Sequence, residues 1–125
     1  MLLIDAANVV GSRPDGWWRD RAGAAARLVE QVGVATAAGR LSPPVVVVLE
    51  GAARPGVDQG AGQGAADGVE VVHAPDDGDE TIAALAATAD APVVLVSADR
   101  ELGRRCRAVG ATVVGPRWLL DQLRP

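Results

Sequence analysis

Five consecutive apolar residues, Val45-Val46-Val47-Val48-Leu49, stand between Pro43-Pro44 and Glu50-Gly51, and they leave the chain few architectures. A strand with one wet face alternates apolar and polar side chains, whereas an unbroken apolar run has both faces covered. Its β-branched residues favour extended backbone over helix. The run therefore demands helices above and below a sheet, and sheets covered on both faces are mainly parallel.

The remaining sequence supplies the other layers. Leu2-Leu3-Ile4, Val69 to His73, Val93 to Val96 and Ala111 to Val114 read as four more strands. From Trp17 to Ala38 the spacing of Trp18, Ala22, Ala25, Leu28, Val29 and Val32 predicts one helix, with Gly39 as its C-cap. A second helix opens at Asp76-Asp77-Gly78-Asp79-Glu80 and shows Ile82, Leu85, Ala86 and Ala89 on one face. A third runs from Arg100 to Val109, and a last from Pro116 to Leu123 with proline in its first turn. Asn8 falls in a turn continuing to Pro14. Residues 51 to 68 hold six glycines and Pro55 with no hydrophobic period, and read as a long mobile loop. The expectation is one domain, residues 1–125, with a three-layer, Rossmann-like α/β fold and a mainly parallel five-stranded sheet joined by right-handed crossovers. Such sheets bind ligands outside the carboxyl ends of their strands, where the strand order reverses.

Charge is unevenly spread along the chain. Residues 1–49 carry five Arg against four acids, 50–90 one Arg against nine, and 91–125 six Arg against three, giving +1, −8 and +3 within a net charge of −4. That balance excludes a broad basic face for tight nonspecific DNA binding and fits an acidic pocket rimmed by arginines. No apolar run approaches the roughly 20 residues that span a bilayer, and no basic region precedes the first strand, so neither membrane spanning nor export is expected. A single cysteine, Cys106, allows no internal disulfide and suits a reducing cytoplasm. The exclusive use of Arg over Lys, with abundant Ala, matches a GC-rich bacterial genome.

The acids sit where the topology places ligands. Asp5 follows the first strand, Asp79 and Glu80 open the helix after the strand ending at His73, and Asp99 follows the strand ending at Val96. Carboxylates gathered at one rim repel unless protonated or bound to cations. Oxygen-only ligands select Mg²⁺ or Mn²⁺ over zinc, and two such ions could activate water and stabilise a leaving oxygen in phosphodiester hydrolysis.

Three stretches, Ile4-Asp5-Ala6-Ala7-Asn8-Val9-Val10, Gly78-Asp79-Glu80-Thr81-Ile82 and Val94-Leu95-Val96-Ser97-Ala98-Asp99-Arg100-Glu101-Leu102, resemble in order and spacing the signatures of the NYN branch of PIN-like nucleases, particularly its YacP-like members. The segments Val69-Glu70-Val71-Val72 and Gly110 to Pro116 also resemble that group, so the likeness covers nearly the whole chain. It implies a PIN-like fold and a metal-dependent endoribonuclease. Asp5 would be the central metal ligand, Asn8 a supporting residue, and Asp79, Glu80 and Asp99 further ligands. Some members of the group carry another acid four residues after the Asp99 position, where this chain has Gly103.

Each residue also has a structural reading. Asp77 with Glu80 is a helix N-cap pair, Asp99 a cap for the helix starting at Arg100, and Asn8 a turn residue. Arg100, Arg104 and Arg107 share one helix face and form either an RNA rail or a solvated stripe, while Arg13 lies beside Trp17 and Trp18. Those tryptophans either stack on bases or pack, with packing favoured. Cys106 reads as core and His73 as structural. RNA is the expected partner, and the oligomeric state stays open. The alternatives to the ribonuclease are a noncatalytic PIN-like module that binds RNA or protein, supported by Gly103 and the negative charge, and a Toprim-type site built on Glu50 and Asp77-Gly78-Asp79. The last leaves Asp5 without a role.

Overall fold

A computed structural model describes residues 1–61 and 68–125. Five parallel strands form the sheet: β1 (Leu2–Asp5), β2 (Val45–Leu49), β4 (Val69–His73), β5 (Val94–Val96) and β6 (Thr112–Val114). They lie in the order β4-β2-β1-β5-β6. A two-residue strand, β3 (Gly60–Ala61), adds an antiparallel edge to β4, with Gly60 opposite Val71. The expected parallel sheet is present with this sixth strand appended.

Every residue of β2 is buried. Its side chains alternate between two cores. Val45, Val47 and Leu49 join Leu2 and Ile4 of β1 on one face, under α1 (Ala6–Gly11), α2 (Arg21–Ala37) and α5 (Pro116–Leu123). Val46 and Val48 join Leu3 on the other, under α3 (Gly78–Thr88) and α4 (Arg100–Ala108). The period-two geometry of a strand thus divides one apolar run between two helical layers. Cys106 is fully buried in the second core, as expected.

Three local expectations are corrected. The segment after Asp5 is a helix rather than a turn, because Asp5 ends the strand and its carboxylate caps α1 by accepting from the Asn8 N–H. The helix expected from Trp17 begins only at Arg21: Trp17–Arg19 form a single 3-10 turn, and Asp20 caps α2 by accepting from the Gly23 N–H at 2.9 Å. Trp18 consequently stands 57% exposed off the helix, while Trp17 packs against the first core. Third, the expected loop at 51–68 is partly ordered, with Gly51–Gly56 forming a 3-10 turn followed by β3; residues 62–67 lie outside the described residues.

That 3-10 turn is held against α2 by close backbone packing. A Cβ on Gly56 would fall 2.0 Å from the Ala22 carbonyl oxygen, so only glycine allows the approach. Arg54 donates to the carbonyls of Gly51 and Ala74, and His73 Nε2 donates to the Val57 carbonyl at 2.7 Å. His73 is therefore a structural tie. Among the described residues no helix is long and apolar enough to cross a membrane.

Candidate active site

Strand order decides where a site can form. From β1 the chain proceeds toward β2 on one side, and from β5 toward β6 on the other, so the connections diverge above the carboxyl ends of β1 and β5. This divergence opens the crevice typical of doubly wound sheets. Asp5 ends β1, and Ser97-Ala98-Asp99 follow β5.

Asp5 is 4% exposed. Its Oδ2 accepts from Asn8 Nδ2 at 2.8 Å and from Ser97 Oγ at 2.9 Å, while Oδ1 takes a longer bond of 3.4 Å from the Asn8 N–H. Asn8 Oδ1 in turn accepts from the Ala98 N–H at 3.2 Å, and Ser97 Oγ from the Asp99 N–H at 3.1 Å. The network stitches the end of β1 to the exit of β5 and fixes the Asp5 carboxylate. Burial pushes its pKa up; hydrogen bonds from Ser97 and Asn8 oppose that rise, and the Glu50 charge adds to it.

The other acids arrive on helix starts. Asp79, in the first turn of α3, is held above the usual carboxylate range by partial burial and by the fields of Asp99, Asp77 and Asp5. Asp99 caps α4, its Oδ1 accepting from the Leu102 N–H at 3.0 Å, and Asp77 caps α3 through the Asp79 N–H at 3.0 Å. These capping roles engage one oxygen of Asp77 and one of Asp99. Asp5, Asn8, Asp79 and Asp99 therefore gather at one rim.

Glu80 does not join them. It forms a two-pronged ion pair with Arg105 of α4 at 3.0 and 3.2 Å, and Arg105 holds its pKa down. One step along a helix turns a side chain by about 100°, which is enough to swing Glu80 from the rim into the groove between α3 and α4. Two residues outside the ribonuclease set are tied into this rim, Ser97 and Glu50, the latter expected only in the Toprim-type alternative. Ser97 lay inside a recognised stretch, and its signal was a hydroxyl at a strand end two residues before an acid. Glu50, at the exit of β2, accepts from the Gly78 N–H and so ties that exit to the start of α3 beside Asp5.

The arginines divide as well. Arg100 and Arg107 are exposed on α4, Arg104 is paired with Glu101 one turn earlier, and Arg13 donates to Gln31 Oε1 on α2 at 2.7 Å. Gly103 is buried, and a Cβ there would face β6 at 3.5 Å from Val113.

An all-oxygen donor set suits Mg²⁺ or Mn²⁺. Among the described residues no three His, Cys, Asp or Glu side chains form a ready-made metal cage. Asp5, Asp79 and Asp99 supply oxygen donors of the type Mg²⁺ takes, but as placed they do not by themselves close round an ion.

Comparison with solved structures places the architecture. The chain superposes on Rae1 (YacP) from Bacillus subtilis with a TM-score of 0.70 at 20% sequence identity, covering 98% of this chain and 72% of that one. The chain has a YacP-like fold. The W164L mutant of Rae1 aligns with the same identity and coverage at a TM-score of 0.68. No protein-family model matches the sequence, and no curated protein does.

Proposed function

We propose that the chain is a metal-dependent endoribonuclease that hydrolyses RNA phosphodiester bonds at the rim formed by Asp5, Asp79 and Asp99. The observation carrying this reading is the Asp5 carboxylate, buried at the divergence of the sheet and fixed through Oδ2 by Ser97 and Asn8. A buried acid that feels the Glu50 charge and acts on Asp79 is well placed to attract a cation. The YacP-like fold and the three signature stretches support the same assignment.

Asp5, Asp79 and Asp99 would hold the ion, Mg²⁺ or Mn²⁺. When bound, it supplies a Lewis acid for the scissile phosphate and lowers the pKa of a coordinated water. Asn8 and Ser97 act by positioning, keeping the Asp5 oxygens aimed while both remain hydrogen-bonded. Arg100, next to Asp99 in the first turn of α4, and Arg107 would neutralise RNA phosphates that the acids repel. Cytoplasmic action agrees with a lone, buried thiol.

The test is RNA cleavage with and without Mn²⁺ by wild type and Asp5→Asn. Loss of cleavage in a folded variant supports the assignment, and wild-type cleavage by Asp5→Asn removes it. A noncatalytic RNA-binding or protein-interaction module is the second reading, favoured by the lack of a ready-made three-ligand cage among the described residues and by Gly103 where some members of the resembled group carry a further acid. RNA binding without any Mn²⁺-dependent cleavage by wild type would select it.

A further inference from the structure

Beside the acidic rim lies a cleft of about 440 Å³, large enough for a small-molecule group, that the phosphate chemistry leaves unused. Its lining includes Trp17, Arg21, Glu50, Asp76 and Asp77, together with Ala6, the residue after Asp5. The Arg21 guanidinium lies 5.3 Å from the centroid of the Trp17 ring, and Trp18 meets that ring edge-on at 6.0 Å. The indole is thus braced by the core, a cation and a second aromatic ring.

We propose that this cleft is a nucleobase pocket that reads guanine next to the scissile phosphate. The proposal rests on the ribonuclease reading and adds its specificity. Position ties the cleft to the site: Ala6 follows Asp5 directly, and Glu50 both touches α3 at Gly78 and acts on the Asp5 charge. Chemistry selects the occupant. The Trp17 indole, with the planar Arg21 guanidinium over its face, offers a flat surface on which any base can stack. The three carboxylates outnumber the one cation of the lining, Arg21, and are acceptors only, so they disfavour a phosphate and favour a base edge rich in N–H donors. Guanine presents N1–H and the N2 amine side by side, matching the two oxygens of one carboxylate. Adenine and cytosine offer an amine next to a ring acceptor, and uracil offers one N–H between two carbonyls that the acids would oppose. The expected order is guanine first and uracil last.

Binding of the four uncharged nucleosides to the full-length, metal-free chain, followed by backbone amide NMR shifts, tests this without requiring cleavage. Guanosine should shift Ala6, Glu50 and Asp76 and bind at least tenfold tighter than uridine. Trp17→Ala should weaken every nucleoside by tenfold or more. Because Trp17 also touches the core, the exposed Asp76→Asn provides a second arm, in which the preference for guanosine over uridine should narrow while the fold is kept. Equal binding of uridine and guanosine, or no nucleoside shift in this cleft, overturns the proposal. Wild-type RNA cleavage without preference for guanine would overturn the pocket and leave the ribonuclease standing. Selective guanosine binding by a chain that never cleaves RNA would keep the pocket and remove the ribonuclease.

Discussion

Asp5 carries conflicting demands, and its pH dependence exposes them. Its folded pKa is raised by burial, so the protonated form favours folding. That contribution is fully present below the unfolded carboxylate pKa of about 3.9 and is lost as pH rises through the higher folded value. At neutral pH the ionised group is therefore a cost, and Asp5→Asn should raise the apo-protein's melting temperature at pH 7, with the gain shrinking toward pH 4. The amide can keep the structure intact: its oxygen takes the two good bonds at Oδ2, while its NH₂ replaces Oδ1, which loses only the 3.4 Å cap. Thermal melts at pH 4 and pH 7 check this, and a lower melting temperature for the variant at pH 7 refutes it. RNA cleavage by the same variant should vanish, so stability and activity move in opposite directions at one atom pair. Glu80 makes the contrast. Its ion pair with Arg105 is exposed and screened, so Glu80→Gln should leave Mn²⁺-dependent cleavage near wild type and shift the melt only slightly. A large loss of cleavage would return Glu80 to the metal site.

At the scale of elements, glycines in packed segments separate propensity from packing. Gly103 lies inside α4, and a Cβ there would make only ordinary contacts of 3.5 to 3.9 Å, so Gly103→Ala should stabilise by about 0.5–1 kcal/mol through reduced unfolded-state freedom. Gly56 is the opposite case: the overlap with the Ala22 carbonyl means that Gly56→Ala must separate the 3-10 turn from α2, at a cost of about 1–3 kcal/mol. Urea unfolding of both variants measures the two signs. This difference also marks what the sequence made legible. The strands and α3, α4 and α5 were readable because their periods, caps and flanking turns agree with one another, as Val45–Leu49 and Asp77-Gly78 illustrate. The Gly51–Gly56 turn was unreadable because its order comes from contact with α2, which no local pattern encodes. Trp17 and Trp18 misled for a related reason: they continue the helical spacing of α2, yet the Asp20 cap starts the helix after them. In the site, Asp5, Asp79 and Asp99 were visible as acids after strands or at helix starts. Glu80 was indistinguishable from Asp79 until the placement of Arg105 decided which way each faced, and Ser97 acquired its role only through a bond spanning 92 residues.

The whole molecule balances an acidic rim against a basic C-terminal segment, and two measurements separate their roles. A cation binding only the native state should raise its stability by about 1.4 kcal/mol at 10 mM Mn²⁺ if the dissociation constant is about 1 mM, a shift of roughly 4–8 °C. Asp5→Asn should lose most of that shift. The basic side is tested by salt. A net charge of −4 gives the chain no general attraction for RNA, so phosphate binding must come from local cations free of other partners. Arg105 and Arg104 are engaged with Glu80 and Glu101, and Arg13 with Gln31. Arg100 and Arg107 remain exposed at the two ends of α4, one beside Asp99. Each phosphate neutralised on a single strand contributes about −0.7 to the slope of log K against log salt. Replacing both arginines with Gln should therefore weaken RNA binding and flatten that slope by roughly 1.4 or less, while leaving the Mn²⁺-induced melting shift nearly unchanged. Arg104→Gln alone should change the slope much less, since its charge is already matched. If the double variant keeps wild-type affinity and slope, α4 does not face the RNA, and the exposed Arg19, Arg27 and Arg117 are the next cations to replace.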